Sequence, residues 1–321
     1  MFSKPKLSEF KTYTLFVLAV ASFAACKLPL GETSTRDSEK NTLFLKFNPK
    51  PGSVYHYDVD NKAEISMEMN GKKTEKLSAF TVGMTYRINK DSSGNYLFET
   101  NYDKVHMESK NDEVESVYDA ENASFSPNGT DKMLGALKES KLTVSVSPGR
   151  EIKIVSGYEE LSKKLMATLD TTNGYAKQVA QQKIDEIIKK GLIQRNVDQL
   201  FRFFPDSAMH IGSKWKMESK EQNDFTLNVS TFYTLNDIEN GKAFINSKST
   251  ITSDKTPLAV MGYSVVPDLK GEQEGVYQVE ASTCMLLNAS ITATVKGKLE
   301  MGGSAIPISI KLKVNIEGKK S

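Results

Sequence analysis

The chain has 321 residues, with 42 Lys and Arg against 40 Asp and Glu, long enough for one large domain or two smaller ones. Lys4, Lys6, Lys11 and Glu9 all lie in the first 25 residues, and without them acid and base balance. That balance argues against a nucleic-acid partner, which needs a basic patch or stripe.

The N-terminal segment opens basic and then runs uncharged over residues 13–25. A permanent membrane helix needs about 20 apolar residues, so this run has the length of a signal-peptide core instead. It ends Phe23-Ala24-Ala25-Cys26, which resembles the lipobox of bacterial lipoproteins, with Phe23 where Leu is usual. The resemblance implies cleavage between Ala25 and Cys26, a diacylglycerol on the Cys26 thiol, and a membrane as partner through that acyl group. Two or more acyl chains anchor stably where one does not, at about 0.8 kcal/mol per buried methylene. The alternative is an ordinary signal peptide cut after Ala19-Val20-Ala21. Residues 26–41 are rich in Ser, Thr, Lys and Glu without apolar periodicity and read as a flexible tether. Lys27 rather than Asp follows the cysteine, which by resemblance to envelope lipoproteins argues against inner-membrane retention. The expected location is the outer membrane, with the domain facing the periplasm.

From residue 42 strand patterns dominate. Ala63, Ile65, Met67 and Met69 alternate with polar residues up to Asn70-Gly71, a strong two-residue hairpin signal. Phe80, Val82, Met84, Tyr86 and Ile88 alternate again; Leu142, Val144 and Val146 lead through Ser147-Pro148-Gly149 to Ile152 and Ile154. Met285 to Val295 on alternate positions, a turn at Gly302-Gly303, and Ile306 to Ile316 on alternate positions form a long hairpin with one apolar face. Period two with one polar face predicts antiparallel sheet with one wet side.

The middle of the chain changes period. Helical spacing covers 159–169 and 175–190, divided by Asn173-Gly174, with shorter helices expected at 131–138 and 196–204. An internal similarity surrounds this stretch: "GSVYHYDV" at Gly52 against "GSKWKMES" at Gly212, and "TYRINKDSSGNYLFE" at Thr85 against "FYTLNDIENGKAFIN" at Phe232. The offsets differ by what an Asn70-Gly71 hairpin extension in the first half would add. The expected fold is α+β, β-dominated, with two related curved antiparallel sheet halves joined by a helical insert. The expected divisions are a signal peptide (1–25), tether (26–41), N-terminal β half (42–156), helical insert (157–204) and C-terminal β half (205–321).

The segments "LKFNPKPGSVYHYDV", "LTVSVSPGREIKIVSGYEEL", "FPDSAMHIGSKWKM" and "TFYTLNDIENGKAFI" together resemble an uncharacterised family of Gram-negative envelope lipoproteins, a domain of unknown function. The resemblance covers most of residues 43–318. It implies fold and location and brings no catalytic residue. A late Asp-x-x-Thr-Gly turn, frequent in that family, is altered here to "VEASTCM".

Motifs of known chemistry are missing from the chain. His56, His106 and His210 are far apart, and no zinc spacing, nucleophile elbow or phosphate loop occurs. Ser213 and Lys216 match Ser-x-x-Lys, but on a strand i and i+3 face opposite sides. Asp112, Glu113 and Glu115 beside Lys110 read as a solvated hairpin turn. Cys284, in the apolar run "ASTCMLLN", reads as a small core residue; a Cys26–Cys284 bridge belongs only to the soluble alternative. Asp206-Ser207-Ala208 and Asp170-Thr171-Thr172 resemble a bacterial O-glycosylation site at Ser207 and Thr171. The expectation is a non-enzymatic protein without cofactor or metal that binds an apolar ligand such as a lipid in a curved-sheet cavity. An envelope scaffold engaging a protein partner through Tyr96, Tyr102 and Tyr118 is the alternative.

Overall fold

The computed structural model describes residues 42–321 except 70, 112–114, 120–128, 139, 150, 168–177, 179–180, 183, 186–203, 206–207, 223–225 and 261–262. In chain order the elements are β1 (Thr42–Phe44), β2 (Val54–Met69), β3 (Lys72–Lys90), β4 (Tyr96–Asn111), β5 (Glu115–Asp119), α1 (Gly129–Lys138), β6 (Lys141–Val146), β7 (Ile152–Ser156), α2 (Tyr158–Ala167), β8 (Ala208–His210), β9 (Lys214–Gln222), β10 (Thr226–Glu239), β11 (Lys242–Ser253), β12 (Leu258–Val260), β13 (Tyr263–Glu280), β14 (Leu286–Met301) and β15 (Ser304–Lys320). The predicted hairpins are present. Met69 pairs with Lys72 across Gly71, and Met301 pairs with Ser304 across Gly302-Gly303, all three glycines at positive φ. Helix α1 covers the predicted 131–138 and α2 most of 159–169. The helices expected at 175–190 and 196–204 lie largely outside the described residues.

Thirteen strands make one antiparallel sheet in the order β7-β6-β4-β3-β2-β15-β14-β13-β11-β10-β9, with β5 added on β4 and β12 on β13. Strand β15 pairs with β2 from Ile308↔Met67 to Lys320↔Tyr55, so the two expected strand runs are continuous in one sheet. The sheet is not closed: among the described residues β7 and β9 are its ends. Each strand step adds roughly 20–25° of twist, and open sheets of more than about ten strands curl or split.

The internal similarity has a structural counterpart. The Gly52 N–H donates to Ile88 O (2.7 Å) and Ile88 N–H returns to Ser53 O (2.9 Å); Gly212 N–H donates to Leu235 O (2.7 Å) and Leu235 N–H returns to Ser213 O (3.0 Å). Tyr55 opposes Tyr86 as Trp215 opposes Tyr233, and Ile88 opposes Phe98 as Leu235 opposes Ile245. Strands β2 and β3 run beyond this shared frame to the Gly71 tip, which accounts for the unequal offsets.

Burial is one-sided. On β2, Tyr55, Tyr57, Val59, Asn61, Ala63 and Ile65 are buried, while His56, Asp58, Lys62 and Glu64 are exposed. The same alternation runs through β10, β11, β14 and β15. Between β7 and β9 the chain passes from one end of the sheet to the other, and Ile184, Phe204 and Met209 from that passage share the inner-face core. Strand β8 pairs with β1, whose continuation sends Leu45 and Phe47 into the same core. Helix α2 adds Leu161 and Leu165, one turn apart on a single face.

Candidate functional site

Among the described residues, apolar side chains converge on the inner face. It has three zones along the strand direction. The first, at the end where Gly52 and Glu280 lie, is an aromatic floor. Tyr57 and Tyr86 meet edge-on at 5.7 Å, Tyr86 and Phe98 at 6.0 Å, and Phe47 and Tyr96 at 5.3 Å, the arrangement that aromatic quadrupoles favour. Tyr57 crosses over Gly318 of β15 to donate a hydrogen bond to Leu286 O on β14 (2.8 Å). A Cβ at Gly318 would lie 2.6 Å from Tyr57 Cε1, so the crossing requires glycine there. Burial pushes the Tyr57 and Tyr86 hydroxyls well above the ordinary tyrosine range.

The floor is fastened by Glu280, which accepts hydrogen bonds from Tyr55 (2.9 Å), Thr283 (2.5 Å) and Lys320 (3.1 Å). Burial alone would raise this carboxyl, but the donors Thr283, Lys320 and Tyr55 outweigh it and hold Glu280 below its ordinary value. The Lys320 ammonium also sits 5.5 Å from the centre of the Tyr55 ring.

The second zone is an apolar belt across eight strands: Val105, Val82, Val59, Ile316, Ala289, Tyr277, Ile245 and Leu235 are successive cross-strand partners, all buried. The third runs toward the β2–β3 and β14–β15 tips. Here Ala63, Ile65, Leu312, Ile308 and Val295 remain buried, while Met67, Phe80, Met107, Ile310 and Leu299 are partly accessible. Most polar groups on this face satisfy one another. Thr231 and Ser249 share a hydrogen bond (2.8 Å), Gln273 reaches Ser249 (3.5 Å), and Ser247 meets the Tyr277 hydroxyl (3.4 Å). Asn61 is different: it is 7% exposed and its Oδ1 accepts no hydrogen bond among the described residues.

The outer face is charged. Lys311 pairs with Glu64, Lys248 with Glu274 and Lys298 with Glu300. A barrel facing lipid carries an apolar outer band instead. No helix among the described residues is long and apolar enough to cross a membrane.

The residues singled out in the sequence are not brought together. His56 bonds Thr85 on the outer face (2.8 Å), His106 lies between Glu108 (3.0 Å) and Asp119 (3.7 Å), and His210 contacts Ser213 (3.2 Å). No cluster suited to a metal occurs among the described residues. Ser213 and Lys216 lie on opposite sides of the β9 alternation. Lys110 and Glu115 form an ion pair (3.2 Å) in the β4–β5 hairpin. One expectation is corrected. Tyr96, Tyr102 and Tyr118, proposed above as a partner surface, are buried, because they occupy inward positions of β4 and β5. Cys284 is buried, as expected of a small core residue, and sits in the β13–β14 turn at φ 57, its N–H donating to Glu280 O (2.7 Å). Ala25, Cys26, Thr171 and Ser207 lie outside the described residues, as do Asp112 and Glu113. Sequence reading missed Asn61 and Glu280. Asn61 was the more legible, being a polar residue in the inward register of an otherwise apolar alternation.

A family of unknown function (DUF6263) has a sequence model that matches residues 93–286. No curated protein matches the chain in sequence. Among solved structures, an outer membrane channel from Pseudomonas putida F1 is similar at 7% identity over 89% of this chain and 100% of that one, TM-score 0.25. OpdQ of Pseudomonas aeruginosa is similar at 6% identity over 83% and 99%, TM-score 0.21. A DUF1329 family protein from Desulfovibrio piger is similar at 10% identity over 81% and 85%, TM-score 0.13. Likeness at these scores carries no argument about function.

Proposed function

This chain belongs to the family of unknown function DUF6263, and we propose that it is a lipid-anchored lipoprotein of a Gram-negative envelope. Its inner sheet face binds an apolar ligand such as a lipid, without catalysis. The observation that carries the ligand reading is the apolar belt from Val105 to Leu235, continuous over eight strands and adjoined by a more accessible aliphatic zone toward the hairpin tips. Binding pockets for apolar ligands have this make-up, an apolar wall with a few placed polar groups. The methionines at 67 and 107 give that zone adaptable side chains.

The anchor reading rests on Phe23-Ala24-Ala25-Cys26 and the polar stretch behind it. In it the acylated Cys26 holds the protein to the outer membrane, residues 26–41 act as the tether, and the domain faces the periplasm. The two strand runs with matching Gly52 and Gly212 entries are related halves, and residues 157–204 join them.

Two measurements on protein purified from membranes test both parts. The intact mass is expected to equal residue 26 onward plus acyl chains; an unmodified mass starting near residue 22 overturns the anchor. Organic extraction of the washed protein is expected to release a lipid in stoichiometric amount beyond the covalent chains. Failure of both extraction and an added apolar probe to reveal bound ligand overturns the binding reading.

A further inference from the structure

We propose that the ligand carries one neutral hydrogen-bonding group, a hydroxyl or an amide N–H, that docks on the Asn61 side chain; this rests on the ligand reading above. Asn61 occupies the row just tipward of the apolar belt. Its cross-strand partners are Phe80 on β3 and Val314 on β15, neither of which can hydrogen-bond it through a side chain. It is 7% exposed with Oδ1 unpartnered among the described residues, whereas Thr231, Ser249, Gln273, Ser247 and Tyr277 on the same face satisfy one another. Buried acceptors without a partner are rare in native proteins and each calls for an explanation.

A trapped water is a poor one. It needs two to four polar partners, and by register Ser78 is the single polar inward side chain beside Asn61 on the neighbouring strands. A hydroxyl or amide delivered by a ligand whose remainder is apolar fits: the polar atom meets Asn61, and the chain lies along Ala63, Ile65 and Leu312 toward the tips. From position 61 to 69 this wall runs for about 27 Å.

The group is neutral because no charged side chain occupies the inward positions in the row of Asn61 or in the two rows beside it. A buried charge without a counter-charge is strongly disfavoured. The inner face does hold Lys76, opposite Ile65 and two pleats nearer the tips. An anionic head would go there and leave Asn61 unoccupied.

The test is displacement of the fluorescent probe N-phenyl-1-naphthylamine from the full chain, delipidated and held in an amphipathic polymer. Dodecane, 1-dodecanol and laurate are the competitors. The expected result is that dodecanol displaces the probe at about tenfold lower concentration than dodecane. In Asn61→Leu that preference falls to within about twofold, while dodecane binds at least as well as before. Asn61→Val serves as the second variant, and melting of both is expected at or above the wild-type temperature, because an unsatisfied amide is removed. A dodecanol preference that survives both substitutions overturns the inference and leaves the apolar-ligand reading standing. So does laurate as the best competitor with its advantage lost in Lys76→Met. Failure of all three competitors and of the probe to bind wild-type protein overturns the underlying reading itself.

Discussion

Gly318→Ala tests whether the floor depends on Tyr57 crossing β15. The new Cβ would lie 2.6 Å from Tyr57 Cε1 and 2.9 Å from Leu287 O, closer than side-chain carbons approach. Tyr57 is 1% exposed and cannot swing away into solvent. Overpacking costs about 1–3 kcal/mol. Moving the ring breaks its 2.8 Å bond to Leu286 O and leaves buried polar atoms open, about another 1–3 kcal/mol. The better strand preference of Ala returns roughly 0.5–1 kcal/mol, so the expected loss is about 1–5 kcal/mol. Urea unfolding read by circular dichroism and by Trp215, the single tryptophan, gives the number. Tyr57→Ala alone should cost about 3–5 kcal/mol. With the ring gone, Gly318→Ala should cost much less, a coupling of at least ~1.5 kcal/mol in the double-mutant cycle. Additivity within ~0.5 kcal/mol, or a Gly318→Ala protein as stable as wild type, refutes the crossing.

Acid stability should depend on Glu280. Its folded value lies below its unfolded one because donors from Thr283, Lys320 and Tyr55 outweigh burial. Its contribution is therefore present above the unfolded value of about 4.3 and is lost as pH falls through the folded value. The urea midpoint should drop over that range, and Glu280→Gln should flatten the drop; an unchanged slope would show that Glu280 is not coupled to folding. On the outer face, Glu64→Ala should change stability by less than about 0.5 kcal/mol, because its Lys311 pair is solvent-exposed. A loss above 1.5 kcal/mol in urea titration would contradict one-sided burial.

The alternating residues of β2, β3, β14 and β15 set their own faces. Period two leaves no other way to bury Tyr57, Val59, Ala63 and Ile65 together, and the Gly71 and Gly302-Gly303 turns follow from the need for positive φ. The repeated Gly-Ser entries at 52 and 212 were legible for the same local reason, as were helices α1 and α2. Strand order was not. Nothing in the alternation of β15 states that its free edge belongs to β2, because backbone hydrogen bonds carry no sequence label; the two runs became one sheet only when β2 and β15 met. Burial of Tyr96, Tyr102 and Tyr118 was likewise a matter of which side of the sheet the rest of the chain covers. Asn61 was written in the sequence as one polar residue on an apolar register, but its want of a partner depends on Phe80 and Val314, which lie beside it solely through tertiary pairing. The sequence determined which side chains share a face, a local property of the backbone. The tertiary structure decided which faces adjoin and which buried polar atoms find a partner, because those depend on contacts between residues far apart in the chain.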